Sequence, residues 1–324
     1  MPFDHTSSTS GLPQDGSTST SSAASTSTGT SDGTVWDMGM PDFGPTQPAG
    51  CAGKIDFLFV VSSAGTMQSK QQRLLASLPS FMDAIQARLP DFDYHILSAY
   101  TDGSWAIEDC SVCTEGCDPG GAPPYCSAAV TAYDKKIGAG VVFPTGLHAS
   151  NRLCDIDSGL RYIVTGQHNL DKVFACTAQV GIQGSPIAGE AMVAALQPEI
   201  NDPKKDYACN SGFLREDALL VVTIIQDDYD DASLGTVEEW IEAVRAAKKY
   251  ADDAFAVLVL TTDVDYQQLC HPNDFVPIKN RLRLLVEGVD HGFIGSICLP
   301  EYGAFFAEHV GALVDLCGSF IPPG

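Results

Sequence analysis

Three short stretches of the chain gather hydroxyls and carboxylates at the ends of apolar runs. Ser62-Ser63-Ala64-Gly65-Thr66 follows the apolar run at 55–61, and Gly184-Ser185-Pro186-Ile187 leads into a helical pattern. Gln226-Asp227-Asp228-Tyr229-Asp230 closes the run ALLVVTII at 218–225. Hydroxyls and backbone N–H groups in a strand-to-helix turn either receive a ligand or cap the helix that follows. The run before the first stretch (Ile55, Phe57, Leu58, Phe59, Val60, Val61) is too continuous for a strand with one wet face. It suits a parallel strand covered on both sides. Ligands of open α/β sheets bind at the carboxyl edge, so the three stretches are expected to meet there.

The elements that must position them alternate along the chain. Strands are predicted at 55–61, 92–100, 218–225 and 254–261, with a short one at 293–297. The first helix carries Leu74, Leu78, Phe81, Ile85 and Leu89 at helical spacing, with Pro79 expected to kink or interrupt it. Further helices are predicted at 170–180, 186–196, 237–249, 278–287 and 305–316. This alternation implies an α/β fold: a doubly wound, mostly parallel sheet with helices on both faces. Residues 1–50 are dominated by Ser, Thr, Gly, Asp and Pro and are read as a disordered stalk. The domain then occupies 51–324, interrupted at about 102–170 by a Gly-, Pro- and Cys-rich insertion expected to be held by disulfides rather than by a core of its own.

On these residues the chain resembles the von Willebrand factor A domain family, and most nearly its bacterial surface members with a Ser/Thr-rich stalk and a cysteine-rich insertion. The resemblance covers roughly residues 51–320 without the insertion. The family's Asp-x-Ser-x-Ser turn stands here as Ser62-x-Ala64-x-Thr66. Its Gly-Thr-Pro loop stands as Gly184-Ser185-Pro186-Ile187, and its Thr-Asp-Gly strand end as Gln226-Asp227-Asp228. The resemblance implies a cation site, usually Mg²⁺ and alternatively Mn²⁺ or Ca²⁺, built from Ser62, Thr66, Ser185 and Asp227. It implies that a partner's carboxylate completes the coordination. A hard cation wants oxygen ligands in octahedral array. This chain lacks the first Asp and the middle Ser, so the site is degenerate and a metal-free fold, its turn hydroxyls capping the first helix, is the preferred expectation. Asp228 or Asp230 is the candidate replacement carboxylate. The resemblance also implies that Cys51 bonds Cys317, since A-type domains often join those two places; Cys270 with Cys298 is the second expected pair.

Eleven cysteines argue for an oxidising compartment, and that signal is weighed above the lack of a basic-then-apolar leader at the N-terminus. Cys110, Cys113, Cys117 and Cys126 have zinc-like spacing without a second pair, so disulfides are the expectation there. A formal charge of −23 repels nucleic-acid and lipid phosphates, and no apolar run is long enough to span a bilayer. The acidic run from Asp227 to Asp231 lacks the Gly and Glu of an EF-hand and reads as solvated. None of the seven histidines falls in a recognisable catalytic arrangement, and Arg215-Glu216 reads as a surface contact. The expected function is therefore non-enzymatic: an extracytoplasmic adhesion-type module, at the cell surface or secreted, recognising a protein or other extracellular ligand. The alternative is a metal-assisted hydrolase using Asp227.

Overall fold

The computed structural model describes residues 50–101, 134, 136–205, 208–266, 269–270, 272–273, 279–320 and 322. The Ser/Thr-rich segment up to residue 49, and Cys110, Cys113, Cys117 and Cys126, lie outside the described residues.

A six-stranded sheet forms the centre. Its strands are β1 (Lys54–Val61), β2 (Asp93–Tyr100), β3 (Ile163–Val164), β4 (Leu219–Gln226), β5 (Phe255–Thr261) and β6 (Gly292–Ser296). The order is β3-β2-β1-β4-β5-β6, parallel throughout except for β3, which runs antiparallel to β2 at one edge. Seven helices are described: α1 (Gln68–Gln86), α2 (Leu170–Ala178), α3 (Ala188–Leu196), α4 (Pro198–Asn201), α5 (Val237–Ala247), α6 (Arg281–Glu287) and α7 (Gly303–Ser319).

The pleat explains the unbroken apolar runs. Ile55, Phe57, Phe59 and Val61 pack with residues of α1, α2 and α7 on one face. Leu58 and Val60 pack with α3, α5 and α6 on the other. Successive side chains of a strand point to opposite faces, so a strand buried on both is apolar at most of its positions. All eight residues of β4 are buried.

Two local features go beyond the sequence reading. Helix α1 continues through Pro79, its face of Leu74, Leu78, Phe81 and Ile85 buried in the sheet core. The segment read as a disulfide-held insertion contributes β3, and Phe143 and Ile163 join the main core. A short antiparallel bridge also joins Gly140 to Ala99 of β2. The one described disulfide of that segment bonds Cys154 to Cys176 of α2, a pairing that spacing alone could not assign. Cys51 bonds Cys317, tying the chain just before β1 to the last helix, and Cys270 bonds Cys298. Cys209 is a buried free thiol.

Candidate functional site

Strand order reverses between β1 and β4: from β1 the chain moves outward to β2, and from β4 outward to β5. The crevice at the carboxyl ends of these two strands is where doubly wound sheets receive ligands. β1 and β4 pair in register up to Val61 and Ile225, and the Ser62 N–H continues the ladder to the Ile225 carbonyl at 3.0 Å. The two strands thus release their loops side by side.

The second loop is fastened to the first. Gly184 N–H donates to the Ser63 carbonyl at 2.9 Å. The Thr101 hydroxyl, just past β2, donates to the Ser185 carbonyl at 2.7 Å and accepts from the Ser63 N–H at 3.2 Å. Gln71, buried in the first turns of α1, donates from Nε2 to the carbonyls of Ser62 (2.9 Å) and Gly181 (2.8 Å). Ser62, Thr66, Ser185 and Asp227 are therefore carried on three segments that the fold brings to one edge.

Their side chains are placed differently from the expectation that turn hydroxyls cap α1. Met67 is the residue before that helix, and no side chain bonds its N-terminus. The Ser62 hydroxyl is fully buried and accepts from the Ala64 N–H at 3.3 Å, closing the turn on itself. Thr66 is exposed at the rim. Asp227 Oδ2 lies 2.9 Å from the Lys70 ammonium, which also donates to the Thr66 carbonyl at 2.8 Å. A base in the first turn of a helix opposes the positive helix end; Asp227 supplies the compensating charge. That misplaced base was the available sequence signal for Lys70, which sequence reasoning passed over along with Gln71 and Thr101.

The acidic loop after β4 is not uniformly solvated. Asp230 is wholly buried in a left-handed backbone conformation (φ 59°). Its Oδ2 accepts from the Gly189 N–H at 2.6 Å and its Oδ1 from the Ser233 hydroxyl. Gln226 Oε1 accepts from the Ala188 N–H at 3.2 Å. Together they cap α3, so both carboxylate oxygens of Asp230 already accept hydrogen bonds. Gly189 is required here: a Cβ would sit 2.4 Å from the Trp240 ring, which is stacked in turn under the Arg281 guanidinium. Asp228 accepts from its neighbour Tyr229 N–H at 2.7 Å, and burial, followed by the charges of Asp231 and Asp227, raises its carboxyl above the ordinary range.

A divalent cation does not fit this donor set. Mg²⁺ needs near-octahedral oxygens at about 2.0–2.1 Å, whereas the Asp227 carboxylate already holds the Lys70 ammonium. Among the described residues no group of three or more His, Cys, Asp or Glu is arranged to hold a metal ion.

Neither a protein-family model nor a curated protein matches the chain. Among solved structures it is similar to proximal thread matrix protein 1 from the mussel byssus. One crystal form aligns at 9% identity and TM-score 0.37, covering 83% of this chain and 49% of that one. A second structure of the same protein aligns at 12% identity and TM-score 0.35, covering 85% and 49%. The chain thus spans about half the length of those structures.

Proposed function

We propose that this chain is a non-enzymatic binding module of the von Willebrand factor A type, working in an oxidising, extracytoplasmic setting. It recognises a protein or other extracellular ligand through the loops at the carboxyl edge of its sheet, without requiring a metal ion. The observation that carries this reading is the convergence of the Ser62–Thr66, Gly184–Ser185 and Gln226–Asp227 segments at the point where strand order reverses, the ligand edge of such sheets. The rim around them offers contact surface: Gly65, Thr66 and Leu234 are exposed, Leu234 at 73%. Three disulfides among the described residues fit an exported protein, and no described helix is long and apolar enough to cross a membrane. The hydrolase alternative needed a free Asp227, and Lys70 engages that carboxylate.

The test compares two sets of variants of the full chain, coated on beads and presented to cells and extracellular matrix. Thr66→Arg and Leu234→Asp change the carboxyl rim; Glu216→Lys and Lys249→Glu change the exposed pair at the opposite end. Adhesion lost with the first set and kept with the second supports the reading. Adhesion indifferent to the rim overturns it.

A further inference from the structure

We infer that the Lys70 ammonium is the resident cation of the carboxyl-edge cluster: it holds Asp227 and the Thr66 carbonyl together in the role a divalent ion would play, and keeps such an ion out. The inference rests on the proposed reading for the identity of the edge, and on geometry for the rest. Lys70 is the third residue of α1 and turns back across the turn it follows, reaching a backbone oxygen of the first loop at 2.8 Å and the carboxylate of the third at 2.9 Å. It therefore bridges the first loop and the third. An ammonium is a compact point charge with three donors, so one positive charge neutralises one carboxylate. That charge balance is complete without a metal.

Ser62 and Asp230 are committed elsewhere. Ser62 Oγ is buried within its own turn, and the Ser62 carbonyl is taken by Gln71. Both Asp230 oxygens are taken by α3 and Ser233. A divalent ion entering beside Asp227 would meet the ammonium at close range, where like charges repel.

The experiment measures metal directly, so that its failure and the failure of the adhesion reading are separate results. Mn²⁺ is titrated into the full chain to about 1 mM, the range of weak extracellular cation sites, and free Mn²⁺ is followed by its electron paramagnetic resonance signal. The wild-type chain is expected to leave that signal unchanged. Lys70→Ala is expected to bind Mn²⁺, and Asp227→Asn added to Lys70→Ala to abolish the binding. Lys70→Arg, which keeps the positive charge, is expected to behave as wild type. If Lys70→Ala does not fold, as judged by circular dichroism, Lys70→Gln, neutral and of similar length, carries the same expectation. Binding by the wild-type chain that Asp227→Asn removes overturns the inference, and so does a folded neutral variant that binds no better than wild type.

Discussion

The two ends of the sheet handle charge in opposite ways. At the amino end, Arg215 lies against the start of β1 and β2. Its Nε donates to Asp56 Oδ1 at 2.8 Å, its backbone N–H to Asp56 Oδ2 at 2.7 Å, and its guanidinium to Asp93 at 2.6 Å. Lys248 is buried nearby and donates to three backbone carbonyls, those of Arg215, Glu216 and Ala218. The Cys51–Cys317 bond closes the same region. At the carboxyl end the Lys70–Asp227 pair is partly open to water, among loops whose backbones are fixed and whose rim side chains are exposed. The first arrangement is saturated: every charge has several partners inside the protein, which is what burial demands. The second leaves a fixed framework with an open face, as recognition demands. Arg215 is thus no surface contact, while its neighbour Glu216 is one, pairing with Lys249 in solvent.

The largest effect should come from breaking the saturated end. Arg215→Met leaves the Asp56 carboxyl buried and without its main partner, and is expected to cost about 3–5 kcal/mol, read as a shift in urea midpoint at constant slope. A loss under ~1 kcal/mol, the scale of an exposed pair, would erase the contrast between the ends.

A second, intermediate effect is pH dependence confined to that end. Burial outweighs the attraction of Arg215 and pushes the Asp56 carboxyl from its ordinary 3.8 up to about 6. Between those values the native state holds a proton that the unfolded chain has released. The contribution of Asp56 to stability therefore falls as pH rises through that window. Urea titrations of wild type and Asp56→Asn between pH 3.8 and 6 check this: the stability of wild type relative to the variant should decline with rising pH. A constant difference would show that Asp56 does not titrate there.

The smallest effect is expected at the open end. Asp227→Asn removes a single, partly solvated pair and should cost about 1 kcal/mol, measured by the same urea midpoint. A loss comparable to that of Arg215→Met would show that the carboxyl edge is structural too.

Much of the scaffold was legible because it is written locally. A strand buried on both faces has to be apolar at consecutive positions, so β1, β4 and β5 stood out. The turn signals after β1 and β4 marked the edge that faces ligands. Helix α5 was legible as a helical pattern at 237–249, and in the structure Thr236 and Glu239 form a reciprocal cap at its start. The two-residue β3 was hidden because so short a strand carries no period, and its antiparallel pairing comes from the path of the segment before it.

What the sequence determined by itself was the parallel α/β frame and the three chain segments destined for one edge, because apolar periodicity and turn chemistry act between near neighbours. What only the tertiary structure decided was which charges meet. Asp56 and Arg215 are separated by 159 positions, and Lys70 finds Asp227 only because β1 and β4 lie side by side. Pairing of that kind depends on strand order, and strand order is settled by how the whole set of helices and strands packs, which no local pattern encodes.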